Sequence, residues 1–174
     1  MDIKSLHHVA YRCKDAKQTA EFYTKVLGLE YAMAMAEDRV PSTGEASPYM
    51  HIFFRMGDGS YVAFFEIPES PPMGRDANTP AWVQHLALRV PDEKTLMNYK
   101  ARLEKLGIEV VGPTDHTICK SIYFFDPNGH RLELTVDTTT PEMKKRLAAV
   151  SEEMLAEWSK TKKAPHHADW VHKK

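Results

Sequence analysis

The sequence predicts an α+β fold made of two βαβββ modules, and a repeated motif is the main reason. LHHVAYRCKD, at Leu6–Asp15, has a near copy, VQHLALRVPD, at Val83–Asp92. Each copy precedes an amphipathic helical pattern that stops at a glycine, and three further apolar stretches follow, bounded by turn residues. A repeated motif that is followed both times by the same helix and strand patterns indicates a duplicated supersecondary unit. A further amphipathic stretch at the C-terminal end predicts one added helix.

The first module contains one predicted helix and four predicted strands. The helix has Ala20, Tyr23 and Leu27 at helical spacing and is followed by Gly28. The third and fourth strands flank the turn sequence GDG. In chain order the predicted elements are a strand at Leu6–Arg12, the helix at Ala16–Leu27, and strands at Leu29–Met35, His51–Met56 and Tyr61–Ile67.

The second module repeats this order. Its helix is followed by Gly107, and Gly112-Pro113 is expected to close the strand after it. The sequence DPNG between two apolar runs is a strong hairpin signal. The predicted elements are a strand through His85–Arg89, a helix at Glu93–Leu106, and strands at Ile108–Val111, Ser121–Phe125 and Arg131–Val136.

Three segments fall outside these modules. Ala36–Met50 is rich in Pro, Gly, Ser and Thr, which predicts an irregular loop in a position suited to a lid. The proline-rich stretch PESPPMGRDANTP predicts a linker. The predicted organisation is therefore a first module at 1–67, a linker at 68–82, a second module at 83–137, and a C-terminal helix and tail at 138–174.

The C-terminal segment predicts a helix at Pro141–Lys160. Thr140 suits the N-cap and Pro141 the first helical position. Its apolar stripe comprises Met143, Leu147, Val150, Met154 and Trp158, so we expect it to dock on its own module or on a second subunit. The tail after it carries His166, His167 and His172, and near-terminal Lys/His segments are usually solvated, whereas Trp170 indicates that part of the tail docks.

Composition narrows the class of partner. The chain has 174 residues and a formal net charge of −1, and no long run of Lys or Arg precedes the tail. The electrostatic footprint of a nucleic-acid or membrane-surface binder is missing, which favours a small-molecule partner. Cys13 and Cys119 lack CxxC spacing and are expected to be reduced thiols. Without a membrane-span pattern or a signal-peptide core, the expected location is the cytoplasm.

Strand alternation selects the candidate metal ligands. His8 and His85 take the same place in the two copies of the motif, and Glu66 and Glu133 lie on the last strand of each module. We expect these four side chains to point inward together, because imidazoles and carboxylates on rigid strands suit a divalent transition metal. His7 competes with His8, but the register with His85 favours His8.

The motifs HHVAYRCKD, EFYTKVLGL, QHLALRVPD and YFFDPNGHRLEL, spread over residues 6–136, resemble the vicinal oxygen chelate superfamily of glyoxalase I, fosfomycin-resistance proteins and type I extradiol dioxygenases. The resemblance implies paired βαβββ modules forming a metal-holding cleft, within one chain or by module exchange in a homodimer. It also implies His8, His85 and Glu133 as metal ligands and Glu66 as a fourth ligand.

Within that family the sequence favours a ring-cleavage dioxygenase acting on a catechol-type aromatic, with Fe(II) or Mn(II) as the metal. Tyr123 has the spacing from Glu133 of the active-site tyrosine of those enzymes. His116 is a candidate acid–base group or substrate contact, although its offset from Tyr123 departs from the family histidine. The linker also lacks the histidine that ring-cleavage enzymes carry before their second ligand.

Two alternatives stay open. A glyoxalase I-like lyase or isomerase would use Glu66 as fourth ligand or as proton-transferring base, with Ni(II) or Zn(II). FYTKVLGL favours it, but DHTICKS replaces the family's glycine-rich loop. A metal-free binding or resistance protein could use the same fold, although the retention of His8, His85 and Glu133 argues against it.

Overall fold

The structure is a computed structural model that describes residues 2–171. It contains two four-stranded mixed sheets with flanking helices, which confirms the α+β class. The chain divides into two compact units. The first runs to His85 and includes Phe125–Arg131, the tip of a later hairpin; the second comprises Leu86–Phe124 and the chain from Leu132 onward.

In the first sheet, the strand order is β1-β4-β3-β2, and β1 lies parallel to β4. A π-helical turn at Phe22–Val26 continues the first helix. The elements are β1 (His8–Cys13), α1 (Ala16–Glu21), β2 (Glu30–Arg39), β3 (Ala46–Arg55) and β4 (Tyr61–Glu66).

The second sheet has the corresponding order, β5-β8-β7-β6, with β5 parallel to β8. The βαβββ arrangement expected from the repeated motif is therefore present twice. The elements are β5 (Leu86–Arg89), α2 (Glu93–Lys105), β6 (Val111–Asp115), β7 (Cys119–Phe125), β8 (Arg131–Asp137) and α3 (Pro141–Thr161).

Aromatic packing forms the core of the first unit. The fully buried ring of Tyr23, on the π-helical turn, stacks on Phe54 at 5.2 Å and contacts Phe64 at 4.7 Å between centroids. Its hydroxyl donates to Asp126 at 3.2 Å. Burying one such ring stabilises the fold by roughly 1.5–3 kcal/mol, so this contact fixes which face of the sheet the helix covers.

In the second unit, alternation along β8 separates a core face from a polar one. Leu132 and Leu134 are buried with the apolar residues of α2 and β7, namely Leu96, Leu103, Ile122 and Phe124. Glu133 lies between the two leucines and therefore points to the opposite face of the sheet. The expectation that the polar face of this strand is not the core face is confirmed.

The irregular loop expected at Ala36–Met50 is not present. β2 and β3 continue through it as an antiparallel hairpin that pairs Ala36 with Met50 and Glu37 with Tyr49. A tight turn closes the hairpin, with the Val40 amide donating to the Glu45 carbonyl at 2.9 Å. Pro41, Ser42 and Thr43 form the turn itself. Ser47 and Pro48 lie on β3, where the bonds of the backbone ladder outweigh their weak strand propensity.

The strand expected at Ile108–Val111 is displaced toward the C-terminus. β6 begins at Val111 and passes through Gly112-Pro113, with an irregular register between Val111 and Thr114. Gly112 has φ +108°, and a Cβ there would lie 2.6 Å from the carbonyl oxygen of Ser121. The glycine therefore permits close strand approach where the sequence pattern indicated a stop.

The C-terminal helix confirms its predicted start. Thr140 accepts a hydrogen bond from the Met143 amide at 3.2 Å, and Pro141 occupies the first turn. A short 3-10 turn, Asp169–Val171, follows in the tail, and Val171 is buried. His172 lies outside the described residues. Over residues 2–171, no helix combines the length and apolarity that a bilayer crossing requires.

Candidate active site

A cavity of about 550 Å³ lies within the second unit. Its size falls in the range of small-molecule sites. One part of its wall is polar and the remainder is largely apolar. The lining residues include Asp115, His116, Thr117, Ile118, Cys119, Tyr123, Glu133, Leu147, Ala168 and Val171. Three residues selected from the sequence, His116, Tyr123 and Glu133, therefore line one cavity.

Neighbouring strands and one turn position these three side chains. Tyr123 projects from β7 and Glu133 from β8, which are adjacent in the sheet. His116 lies in the β6–β7 turn, where its amide donates to the Cys119 carbonyl at 2.8 Å. The Asp115 carboxylate accepts from the Thr117 amide at 2.7 Å and so stabilises the turn. The histidine is therefore held on a short, internally bonded connection.

His116 and Tyr123 form a hydrogen-bonded pair. The imidazole Nε2 and the phenol oxygen lie 2.8 Å apart, and the two rings meet edge to face. When Nε2 is unprotonated the phenol donates, and when Nε2 is protonated the phenol oxygen accepts. Either residue can therefore be the donor of this hydrogen bond, which suits a group that both gives and accepts a proton.

Glu133 is buried at 6% exposure, which is unusual for a carboxylate. The hydroxyl of Ser121, itself fully buried, donates to its Oε1. Ser121 Oγ also lies 2.9 Å from the Thr135 hydroxyl oxygen. A buried carboxylate requires hydrogen bonds or a cation to offset its desolvation. Glu133 is thus oriented by Ser121 and has the chemistry of a metal ligand.

In the first unit, His8 begins β1 beside Tyr61 of β4. Its Nδ1 lies 2.8 Å from the Nδ1 of His7, the competing candidate. The His8 ring lies 6.2 Å from His51 and 5.7 Å from Phe53, both on β3. His8 therefore belongs to a cluster of aromatic rings on one face of this sheet.

The predicted metal ligands and acid–base groups do not include His51, a polar residue of β3. It is 8% exposed, and its ring stacks on Phe65 at 3.6 Å between centroids. Its Nε2 has no hydrogen-bond partner among residues 2–171. Burial, followed by the nearby His8, lowers the His51 pKa from 6.5 to about 4, so the imidazole is neutral near pH 7. The apolar alternation of Ile52 and Phe54 was the available sign that His51 lies on the opposite face from the α1-packed core.

Glu66 does not share a face with His8, so the expected equivalence of Glu66 and Glu133 is wrong. The register pairs His8 with Tyr61 and Cys13 with Glu66, and an odd offset along a strand reverses the face. At about 3.3 Å per residue, His8 and Glu66 are separated by roughly 16 Å along the sheet. A cation bound by His8 is therefore out of reach of Glu66 in the same unit.

Glu66 instead supports the local fold. Its Oε2 accepts a hydrogen bond from the Ala16 amide at 2.6 Å, at the start of α1. The first amides of a helix lack intrahelical partners, so a carboxylate there caps the helix. In the second unit, Glu133 pairs with Ala87; the first unit places Ala63 opposite Ala10. The first sheet thus has alanine where the second has its buried glutamate.

His85, the remaining candidate ligand, precedes β5 and is exposed. Its Nδ1 lies 3.1 Å from the Val83 carbonyl, which fixes the ring orientation. Within residues 2–171, no three His, Cys, Asp or Glu side chains are assembled as a metal cluster. The assignment of His8, His85 and Glu133 as metal ligands stays a prediction, which rests on the preference of transition metals for imidazole and carboxylate ligands.

Comparison with known proteins gives several relatives of different activity. The chain is 32% identical over 143 residues to the putative ring-cleaving dioxygenase MhqA of Bacillus subtilis, covering 79% of this chain and 42% of MhqA. It is 29% identical over 147 residues to 2-epi-5-epi-valiolone epimerase of Actinomyces sp, covering 75% of this chain and 78% of the epimerase. The chain therefore spans less than half the length of MhqA.

Solved structures support the fold. The fosfomycin resistance protein FosX of Listeria monocytogenes, solved with Mn(II) and sulfate, matches with a TM-score of 0.55 and 22% identity. The match covers 80% of this chain and 96% of FosX. The family model of the Glyoxalase/Bleomycin resistance protein/Dioxygenase superfamily matches residues 5–134. With its two βαβββ units, the chain belongs to this superfamily.

Proposed function

We propose that the protein is a metal-dependent, extradiol-type ring-cleavage dioxygenase acting on a catechol-type aromatic. The observation that carries the proposal is the convergence of His116, Tyr123 and Glu133 on one cavity. The similarity to MhqA, whose name gives a putative ring-cleaving activity, supports the same reaction class. A cavity of about 550 Å³ has room for a single substituted ring.

The proposed ligands are His8, His85 and Glu133, and the register of β4, which places Glu66 on the face opposite His8, argues against Glu66 as a fourth. Fe(II) or Mn(II) held by such a set would supply Lewis acidity to two vicinal oxygens and the redox chemistry of oxygen activation. The burial of Glu133 fits this role, because a cation offsets the desolvation of its charge. The Ser121 hydroxyl would keep the carboxylate oriented.

Tyr123 and His116 would bind the substrate oxygen and transfer its proton. Tyr123 would hydrogen-bond a substrate oxygen, and His116, 2.8 Å from the phenol, would take up or return the proton. Ile118 and Leu147 supply apolar wall to the same cavity and would exclude water from the ring. The polar pair and the apolar wall thus suit a molecule with hydroxyls on one edge.

A second candidate is proton transfer at a metal-bound substrate, as in a glyoxalase- or epimerase-like enzyme using Ni(II) or Zn(II). The His116–Tyr123 pair favours it as well, since a proton-sharing pair can act as acid and base. The similarity to an epimerase points the same way. The hydrogen bond that Glu66 accepts from the Ala16 amide argues against Glu66 as the base of such a reaction.

Metal analysis and two assays separate these functions. Protein prepared without oxygen is analysed for metals, then assayed with a panel of catechols and with a glutathione hemithioacetal. Bound iron or manganese with oxygen consumption on a catechol supports the proposal. Nickel or zinc with hemithioacetal turnover and no oxygen use supports the second candidate. Protein that binds no metal and turns over neither substrate would indicate a metal-free binding protein. Light scattering on the same sample tests the expected homodimer.

A further inference from the structure

The tail of the second unit returns along the helix that precedes it. We call residues 165–171 the strap. His167 Nε2 lies 2.8 Å from the Glu157 carboxylate, and its Nδ1 lies 3.4 Å from that of Glu153. These two glutamates are one helical turn apart on α3, so a single imidazole bridges both. His167, near the middle of the strap, thereby binds the strap to α3.

A second contact holds the end of the strap. The guanidinium of Arg146 lies over the Trp170 ring, 3.9 Å from its centroid. Because Trp170 follows His167 while Arg146 precedes Glu153, the strap runs antiparallel to α3. Val171, the last described residue, is 6% exposed. The strap is therefore docked along several turns of the helix.

The docked strap forms part of the candidate active site. Ala168 and Val171 line the same cavity as His116, Tyr123 and Glu133, and Leu147 of α3 lines it with them. The strap and α3 contribute only apolar residues to this lining, whereas the sheet and the β6–β7 turn contribute the polar ones. A bound molecule would therefore place its polar edge on the sheet side and its apolar part against the strap.

We propose that Ala168 and Val171 are specificity-determining residues that form a wall against the apolar part of the substrate. The contact of His167 with Glu153 and Glu157, which we call the latch, holds this wall in place. This assignment of a substrate contact rests on the proposed function of the cavity. The expected substrates are vicinal-oxygen aromatics whose ring substituent is small enough to fit beneath Val171. Undocking of the strap would remove this wall and open the cavity to bulkier molecules.

The latch is tested without any enzymatic assay by the reactivity of Cys119, which lines the cavity. Cys13, at 2% exposure, provides a slow internal reference in every sample. Alkylation of each thiol is followed by mass spectrometry with iodoacetamide and with a bulky maleimide. The variant is His167→Ala, and the control is His166→Ala, which removes an exposed histidine paired only within the strap to Asp169.

His167→Ala should raise the rate at Cys119 with the bulky reagent at least about threefold, since losing the latch favours local opening. His166→Ala should leave it unchanged. Equal rates in both variants and the unmodified protein would overturn the latch. Glu153→Gln with Glu157→Gln tests the same contact from α3 and should reproduce the increase if the imidazole is held by these carboxylates.

The wall is tested by substrate preference. Val171→Ala should raise kcat/KM for catechols with a bulky substituent relative to catechol about tenfold, and Val171→Phe should lower it comparably. Leu155→Ala, on an exposed part of α3, is the control. An unchanged ratio in both Val171 variants would refute the wall. Absence of any catechol turnover would contradict the proposed function and the substrate contact together, while the alkylation rates would still decide the latch.

Discussion

His116 Nε2 and the Tyr123 hydroxyl lie 2.8 Å apart in the cavity of the second unit. One residue comes from a turn and the other from the strand that follows it, so the β6–β7 connection brings the pair together. Glu133 of the neighbouring strand lines the same cavity. The pair and the buried carboxylate are the basis of the proposed chemistry.

Tyr123→Phe should lower kcat about 10²- to 10⁴-fold, because it removes the hydroxyl that is hydrogen-bonded to His116 and is proposed to contact the substrate oxygen. The ring and its packing remain, so thermal unfolding should change little. Steady-state kinetics on the best catechol measure the effect. Unaltered kcat in this variant would show that the phenol takes no part in the reaction.

Ser121→Ala should destabilise the fold by about 1–3 kcal/mol, since the buried Glu133 carboxylate loses a hydrogen-bond donor. Urea unfolding of the metal-free protein measures the loss. Ser151→Ala is the matched control, because Ser151 is an exposed serine on α3. A Ser121→Ala variant as stable as the control would indicate that Glu133 does not depend on this contact.

His8→Ala, His85→Ala and Glu133→Gln should each abolish metal retention, because each removes one proposed ligand. Glu66→Gln should keep the full metal content, because Glu66 caps α1 and lies on the face of the first sheet opposite to His8. Elemental analysis after gel filtration provides the comparison. Metal loss in Glu66→Gln, with retention in His8→Ala, would reverse the ligand assignment.

His51 should make the metal-free protein less stable in acid. Its folded-state pKa, about 4, lies below the ordinary value of 6.5, so between these values the unfolded chain binds more protons. The stabilisation is complete above about pH 6.5 and is lost as the pH falls toward 4, by about 3 kcal/mol.

The measurement is urea unfolding between pH 4 and 7, with EDTA present, for the unmodified protein and for His51→Phe. The phenylalanine preserves the ring stacked on Phe65 and removes the titrating group. The variant should show a shallower decline of stability with falling pH. Identical pH profiles would mean that His51 titrates alike in the folded and unfolded chains.

The architecture could be predicted from the sequence because the motif is repeated. Two copies of one motif, each followed by the same helix and strand patterns, predict the same topology twice, and both sheets have it. The start of α3 was also predictable, since Thr140 and Pro141 are local signals with local effects. Alternation likewise placed Glu133 on the face opposite its buried leucine neighbours.

Features that depend on register were not predictable. The face on which Glu66 lies depends on which residue of β1 it pairs with. Alternation within one strand does not determine how that strand is aligned with its neighbour, so the sequence could not place Glu66 relative to His8. Gly112 signals a stop in sequence, whereas its role in the sheet is to admit the Ser121 carbonyl nearby. Trp170 indicated that part of the tail docks, but the contacts of the strap with α3 were not predictable, because the composition of the tail is typical of solvated termini.

The most direct test of ring cleavage is oxygen consumption by anaerobically prepared protein reconstituted with Fe(II) and mixed with a catechol. We expect one molecule of oxygen to be consumed per catechol, together with the absorbance of a ring-opened product, and both signals to be lost in Glu133→Gln. Fully metal-loaded protein that consumes no oxygen with any catechol, while converting a hemithioacetal, would contradict the proposed ring cleavage.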